Sequence, residues 1–202
     1  MGNRGIVGFN LYNRDVKDFI QKSTLQEGLR FVERPYNAGD ARFWGAELDW
    51  RVPLLKKGAH ELTFTGSHAQ LRGEVSNAKT GGKDGVKDLP PSITNVGLDW
   101  HHLPTKWSAG FALNYSPGFT SNGLNPEGVR DIKSRNAATL LDLFASKIIS
   151  SKAEFRLVAK NVLGLKKEES TTKYKANGTF DTTEVKVESS QPTIFLTFES
   201  RF

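Results

Sequence analysis

Residues 41–52 read ARFWGAELDWRV, and their hydrophobicity changes at nearly every position. Glu47, Asp49 and Arg51 occupy odd-numbered positions and are charged. The even-numbered positions are apolar, namely Trp44, Ala46, Leu48, Trp50 and Val52. Because successive side chains of a β-strand point to opposite faces, this period of two predicts a strand with one apolar and one polar side.

The same alternation recurs on both sides of this segment, although less cleanly in two stretches. One further strand is predicted near the start, where Val7, Phe9 and Leu11 are the apolar positions, and another in the final twelve residues, QPTIFLTFESRF. The remaining five are HELTFTGSH, SITNVGLDW, KWSAGFALNYS, TLLDLFAS and EFRLVAKN. Eight such segments without a convincing helical pattern predict an all-β, antiparallel fold of about eight meandering strands.

Composition narrows the functional classes. The 202 residues carry a net charge of +6 and contain no cysteine, so neither a disulfide framework nor a thiolate metal site is expected. The basic excess lies mostly in loop-like segments without a recognised motif or basic helix, so nucleic acid is not an expected partner. No run of about 18 apolar residues predicts a transmembrane helix. A membrane role would therefore have to come from strands that form a barrel.

The connections between the predicted strands alternate in length. Short links follow Val52, Trp100 and Ile149, whereas long links lie at about 71–91, 117–135 and 164–191, and the first link, near 21–28, is intermediate. All short turns would then lie at one end of the sheet, as in outer-membrane barrels. Four aromatic residues, Trp50, Trp100, Trp107 and Tyr115, are predicted at strand ends on the apolar face, where an interfacial girdle would place them. A soluble β-sandwich remains the alternative, since it would also alternate.

Several motifs resemble the carboxyl-terminal part of TonB-dependent outer-membrane receptors. Gly39, Asp40, Ala41, Gly45 and Glu47 fit the N-x-G-x-A-x-x-x-G-x-E pattern of that family. Asn161 and Gly164 fit its N-x-x-G pattern before the last large loop, and Phe202 resembles the terminal aromatic residue read by the barrel-assembly machinery. The stretches that carry the resemblance are GFNLYNRDVKDFI, NAGDARFWGAELDWRV, LPPSITNVGLDW, WSAGFALNYSPGF, LLDLFAS, RLVAKNVLG and FLTFESRF.

The resemblance implies a receptor in the outer membrane of a Gram-negative bacterium, with a barrel of 22 strands and an amino-terminal plug. Such receptors are transporters and not enzymes, and they import siderophores, cobalamin, haem or sugars. Residues 1–202 are expected to supply the carboxyl-terminal part of that barrel, without signal peptide or plug, and to contact lipid and lipopolysaccharide. Transport by this chain alone is not expected, because TonB would be contacted only through the missing amino-terminal region. The alternative is a small, closed, stand-alone barrel with an adhesive or structural role.

The sequence offers no convincing catalytic, cofactor or metal site. His101 and His102 are adjacent and would point to opposite faces, while His60 and His68 would share a face at too great a distance to hold one ion. Glu47 and Asp49 are expected to line a solvated lumen, and Thr80–Gly85 lacks the spacing of a phosphate-binding loop. Four lysines of the last long loop, Lys166, Lys167, Lys173 and Lys175, could attract lipopolysaccharide phosphates or an anionic ligand. The ligand-binding residues stay unknown at this stage.

Overall fold

The computed structural model describes residues 4–27, 30–76, 81–124, 130–175 and 177–200. In these ranges the chain forms fifteen strands and no α-helix, so no helix there could cross a membrane. The strands are β1 (Ile6–Val16), β2 (Ile20–Glu27), β3 (Arg30–Asn37), β4 (Ala41–Lys57), β5 (His60–Ser76), β6 (Lys83–Gly85), β7 (Ser92–His102), β8 (Trp107–Ser116), β9 (Phe119–Leu124), β10 (Arg130–Arg135), β11 (Ala138–Ser150), β12 (Ala153–Lys160), β13 (Lys166–Tyr174), β14 (Phe180–Ser189) and β15 (Thr193–Ser200).

Eight strands form the main sheet, in the order β1-β4-β5-β7-β8-β11-β12-β15, and the short strand β6 pairs with β5. Every pair is antiparallel. Each long strand therefore lies beside the long strand that precedes it in the chain. The predicted all-β, antiparallel meander of eight strands is confirmed.

The sequence suggested that the long links are loops. In the structure they are largely β-strand. The link after β8 forms β9 and β10, and the link after β12 forms β13 and β14; these four strands make the loop sheet, in the order β14-β13-β10-β9. The first link was predicted to be of intermediate length. It is longer than predicted, because β2 and β3 pair within it. Strand β13 is polar on both of its sides, so it lacked the apolar signal used to predict strands.

Short and long connections lie at opposite ends of the main sheet. The short ones are Gly58–Ala59, residues 103–106 and Ser151–Lys152, and they define the turn end. The hairpin end carries β2 and β3, the loop sheet and the segment containing β6. Gly58 has a φ of 59°, which suits glycine in a two-residue connection. Strict alternation places the end of β15 at the turn end.

The strand register sorts the side chains of the main sheet into two faces. One continuous row of opposed residues on the apolar face is Val52, Phe64, Leu98, Phe111, Leu143, Ala159 and Ile194. The polar face carries small and charged residues instead, for example Asn10, Glu47 and Ala69 in one row. The alternation read from the sequence therefore matches the pairing across the sheet.

Within the described ranges, no second layer packs on the apolar face. Only Ala41, Val75 and Val86 are buried apolar residues among the described side chains, and all three lie at the hairpin end. Trp107 is 41% exposed and Phe9 is 67% exposed. A soluble sandwich would bury its aromatic residues between two sheets. The sandwich alternative is not supported, because the large apolar side chains lie on an open surface.

Three aromatic side chains lie over glycines on the neighbouring strand. Tyr12 is opposite Gly45, and Phe144 is opposite Gly110, both on the polar face. A Cβ added to Gly45 would lie 2.7 Å from the Tyr12 hydroxyl oxygen. Glycine leaves space for a ring to cover the adjacent backbone, an arrangement that fixes strand register.

Trp50 makes the same arrangement with Gly66 on the apolar face, and its ring also contacts Phe64 at 5.9 Å between centroids. The prediction that Trp50 ends a strand is wrong. β4 continues to Lys57 through an irregularity between Pro53 and Leu55, so that Trp50 lies inside the strand. The other three predicted aromatic residues do lie within three positions of a strand end.

The two family-like motifs have structural roles at the hairpin end. Asn161 is 7% exposed, and its side-chain amide donates to the Ser190 carbonyl while its side-chain oxygen accepts from the Leu165 amide. It thereby joins both ends of the last long link, with Gly164 completing the turn at a φ of 63°. Gly39 has a φ of 102°, and a Cβ there would collide with the Ser76 carbonyl oxygen. Both motifs therefore position the hairpins.

Candidate ligand-facing surface

The polar face of the main sheet holds the acidic residues singled out from the sequence. Glu47 and Asp49 alternate on β4, and the Asp49 carboxylate lies over Gly8 of β1. Both lie on the same face of the sheet as Tyr12 and Gly45. No group of three or more histidine or acidic residues in the described part of the chain could hold a metal ion.

The histidines occupy the places that strand alternation predicts. His101 contacts the Ser108 hydroxyl at 2.8 Å, whereas His102 faces the opposite side and contacts Thr105. His60 and His68 share the apolar face of β5, and His68 contacts the Thr94 hydroxyl at 2.8 Å. The structure does, however, bring His60 directly opposite His102 on the adjacent strand, a pair that sequence spacing did not reveal.

The four lysines of the last long loop do not form one patch. Lys166 and Lys167 are adjacent in β13 and therefore point to opposite faces of the loop sheet. Lys167 and Lys173 share the face that carries Glu169, and Lys175 follows the end of the strand. Their charges are divided because the segment is a strand and not an irregular loop.

A cavity of about 470 Å³ lies between the β2 segment and the loop sheet. The Tyr36 hydroxyl donates to the Gln21 side-chain oxygen at 3.2 Å, which fixes the amide of Gln21 at the cavity wall. The Gln21 amide nitrogen and the Ser121 hydroxyl, from the two sides of the cavity, are buried without a hydrogen-bond partner. Buried polar groups are normally paired, so these two atoms have unsatisfied hydrogen-bonding capacity beside the cavity.

Electrostatics at this cavity centre on Asp131 of β10. Burial raises the pKa of the Asp131 carboxyl, although Lys87 and Lys173 act in the opposite direction. The Lys87 ammonium nitrogen lies 3.9 Å from the Asp131 carboxylate. Burial, followed by the charges of Asp131 and Asp84, raises the pKa of the Tyr36 phenol, which therefore stays protonated and able to donate. The cavity thus combines both charge signs with neutral hydrogen-bonding groups.

Four charged residues join three of the long links beside this cavity. Lys133 lies 3.1 Å from Asp88 and 3.0 Å from Glu169, while Arg135 lies 3.1 Å from Asp88 and 2.6 Å from Glu169. Asp88 precedes β7, the two cations lie on β10, and Glu169 lies on β13. A second cavity, of about 600 Å³, shares Lys133 and Glu169 as lining residues. The ion-pair network therefore lies between the two cavities.

Replacing Glu169 by glutamine is expected to loosen the pairing of β10 with β13 by about 1–3 kcal/mol at pH 7, because two charge-assisted hydrogen bonds are lost. Burial acts to raise the pKa of Glu169, but its hydrogen bonds from Lys133 and Arg135 lower it overall. The stabilisation is therefore complete above the ordinary glutamate value of 4.5 and is lost as the pH falls through the lowered pKa.

Amide hydrogen exchange of β10 and β13, measured at pH 7 and again below pH 4.5, checks this effect. The matched control is Glu184→Gln, which removes a carboxyl from the adjacent strand without breaking an ion pair to Lys133 or Arg135. Equal protection in Glu169→Gln and the parent protein at pH 7 would show that the network does not hold the hairpins together.

Sequence reasoning missed the groups that line these cavities. Gln21, Asp131 and Glu169 belong to links that carried no apolar periodicity, and their partners are distant in the chain. The only available signal was the length of those links, which predicted a role in ligand binding for the whole receptor but not for particular residues. The ligand-binding residues named here are therefore candidates derived from the structure.

Comparison with protein families gives one match. The family model described as TonB dependent receptor-like, beta-barrel matches residues 1–162. Searches of the curated proteins and of the solved structures returned no match. The matched region includes β1 to β12, so it contains most of the main sheet with its opposed faces. TonB-dependent receptors are transporters of the Gram-negative outer membrane and not enzymes. The chain belongs to the TonB-dependent receptor-like β-barrel family.

Proposed function

We propose that this chain forms eight strands in the wall of a larger outer-membrane uptake barrel, as its carboxyl-terminal part. The observation that carries the proposal is the open main sheet with one apolar face. β1 and β15 each have one partner strand among the described residues. Hydrocarbon cannot hydrogen-bond the free backbone groups of an open edge, so further strands have to pair with both edges in the membrane.

In this proposal the apolar face contacts lipid and the polar face lines the interior. The row from Val52 to Ile194 is apolar in all seven strands that it crosses, whereas the polar face carries groups that hydrate readily. The hairpin end would face the outside of the cell and the turn end the periplasm, as in other outer-membrane barrels. A ligand arriving from outside would then meet the loop sheet and its cavities first.

The cavity between β2 and the loop sheet is the proposed ligand contact. Unpaired polar groups at Gln21 and Ser121 and the carboxylate of Asp131 together suit a molecule with several oxygen atoms, hydroxyl groups among them. Ferric siderophores, cobalamin, haem and sugars all meet that description. The ligand would be one of these four classes.

Import would need more than this chain. Eight strands of an open wall enclose no channel that could be opened and closed. Members of the family depend on TonB, and we place its contact in a part of the receptor outside these strands. Lipopolysaccharide around the hairpin end and the barrel-assembly machinery at Phe202 are further proposed partners, but Phe202 lies outside the described residues.

Uptake assays in the native bacterium test this function. Deleting the gene that encodes the chain is expected to abolish TonB-dependent uptake of a ferric siderophore, cobalamin, haem or an oligosaccharide. Complementation with a Gln21→Ala, Ser121→Ala double variant is expected to lower initial uptake about tenfold at equal surface abundance, because two hydrogen bonds to the ligand are lost. Lys152→Gln, in a short turn, is the matched control with parental uptake.

Unchanged uptake of all four ligand classes after deletion would contradict the transport role. The stand-alone small barrel is not favoured, since β1 and β15 do not pair with each other in the described structure.

A further inference from the structure

Seven side chains form an unbroken row across the apolar face at the turn end. This turn-end row consists of Lys57, His60, His102, Trp107, Lys147, Phe155 and Phe198, each directly opposite the next on the adjacent strand. It therefore crosses seven of the eight strands in the main sheet path. Lys57 and the imidazoles of His60 and His102 lie at one end of the row. At the other end, Lys147 lies between the aromatic rings of Trp107 and Phe155.

Neighbouring members of the row are in contact. The rings of His60 and His102 lie 4.6 Å apart, and the indole N–H of Trp100 donates to Nδ1 of His60 at 3.2 Å. The Lys147 ammonium lies 5.1 Å from the centre of the Trp107 ring. This distance is within the range of a cation–π interaction, so the Lys147 ammonium is held beside the Trp107 ring.

The bond from Trp100 also fixes the proton of His60. An indole nitrogen can only donate, so Nδ1 of His60 is an acceptor and its neutral ring carries the proton on Nε2. His60 is exposed, and that N–H can donate to a molecule on the surface. The row thus offers a hydrogen-bond donor between the two lysine positions, Lys57 and Lys147.

The row borders an entirely apolar one. The adjacent row towards the hairpin end is Leu55, Leu62, Trp100, Ala109, Ala145, Leu157 and Leu196. Among the described residues, neither of these two rows nor the three short turns contains a carboxylate, while Lys106 and Lys152 add positive charge within the turns. A cationic edge against an apolar surface is complementary to an amphiphile with an anionic head.

The opposite end of the apolar face has a different charge pattern. There Asp15, Arg42 and Glu74 form one row, with Arg42 bound to Asp15 at 2.7 Å and Glu74 paired with Lys83. Arg42 is thus neutralised by a neighbouring carboxylate, whereas Arg72 on the same face donates to the Leu71 and Pro91 carbonyl oxygens. Lys57 and Lys147 lie in the turn-end row, where the described residues provide no carboxylate on this face.

We infer that the turn-end row is a binding surface for the phosphate headgroups of anionic phospholipids in the periplasmic leaflet. Lys57 and Lys147 supply charge attraction, His60 donates to phosphate oxygen, and the adjacent apolar row contacts the acyl chains. Lysines near a membrane surface strengthen the attraction of anionic lipid about fivefold each. This inference rests on the proposed membrane placement of the chain.

Quenching of tryptophan fluorescence by brominated phospholipids tests the inference. The whole receptor that contains these strands is reconstituted with Trp44→Phe, Trp50→Phe and phenylalanine in place of each tryptophan outside residues 1–202, so that it retains only Trp100 and Trp107, both at the turn end. In phosphatidylcholine vesicles we expect brominated phosphatidylglycerol to quench these residues at about one twenty-fifth of the concentration that brominated phosphatidylcholine requires, because two lysines each contribute about a factor of five. Adding Lys57→Gln and Lys147→Gln is expected to remove this preference. Inorganic phosphate at constant ionic strength is expected to leave it unchanged.

Two controls locate the effect. Lys166→Gln with Lys175→Gln removes the same charge at the hairpin end, and the preference is expected to persist. A chain that retains Trp44 and Trp50 instead, with Trp100→Phe and Trp107→Phe, is expected to show no preference for phosphatidylglycerol. Circular dichroism verifies that each variant keeps its strand content.

The outcomes separate this inference from the proposed function. Equal quenching by the two brominated lipids, with the chain inserted, overturns the headgroup surface and leaves the membrane placement intact. Loss of the preference on adding inorganic phosphate assigns the row to free phosphate and also overturns it. Absence of quenching by either lipid overturns both the headgroup surface and the proposed membrane wall.

Discussion

Replacing Phe111 by arginine is expected to lower the free energy of unfolding in phospholipid vesicles by about 2–4 kcal/mol, the cost of a cation on the lipid face of a barrel near the bilayer midplane. Phe111 lies in the middle of β8, between Leu98 and Leu143 on the adjacent strands. Arginine there would lose its hydration without finding a partner on the apolar face. Urea titration of the whole receptor refolded in vesicles, followed by tryptophan fluorescence, measures the change.

Ala112→Arg is the matched control, because the next residue of the same strand points to the polar face. Ala112 is exposed and lies opposite Gly97 and Asp142. An arginine at this position stays in an aqueous interior near a carboxylate, and we expect a change within about 0.5 kcal/mol. Similar stability of Phe111→Arg and the parent protein would refute the assignment of the apolar face to lipid.

Replacing Gly110 by valine is expected to destabilise the sheet by about 3 kcal/mol, because overpacking against backbone cannot be relieved by a rotamer change. A Cβ at Gly110 would collide with the Leu98 carbonyl oxygen and would lie 2.7 Å from the Phe144 ring. The strands β7, β8 and β11 would have to separate or shift register. The folded fraction after refolding, and the urea midpoint, are the measurements.

Gly85→Val serves as the comparison for the glycine substitution. An added Cβ at Gly85 meets no atom within 4 Å, so this variant is expected to keep the parental midpoint. Combining Gly110→Val with Phe144→Ala removes the ring but not the Leu98 carbonyl, and only partial recovery is expected. Full recovery in the double variant would show that the ring, and not the close backbone, requires glycine at this position.

The sequence alone was sufficient to predict the eight strands of the main sheet. Its apolar residues alternate with small, polar or charged ones, as Phe111 does with Gly110 and Ala112, and a period of two records the two faces directly. The alternating link lengths correctly predicted which end of the sheet carries the short turns and which carries the long links. The exception is the first link, whose length was predicted as intermediate. Motif residues such as Gly39 and Asn161 indicated the family, and their conformations confirm that they position the hairpins.

The hairpin end illustrates what the sequence did not provide. β13 is polar on both sides, and the alternating apolar side chains of β14, Val185 and Val187, are both exposed, so the apolar pattern in this hairpin is too short to predict its strands. Lys133 and Glu169 are 36 positions apart, and their 3.0 Å contact depends on the pairing of two hairpins. No local rule connects residues at that separation.

What the sequence by itself determined is the all-β meander, its apolar and polar faces and the orientation of its turns, because each of these follows from local alternation and link length. Only the tertiary structure decided which distant residues lie near one another. Gln21 and Ser121 line the same cavity, and His60, His102 and Lys147 lie in one row. The physical reason is register. Alternation specifies the face on which a residue lies, but its neighbours on that face are set by how adjacent strands align, and that alignment depends on packing such as Phe144 over Gly110.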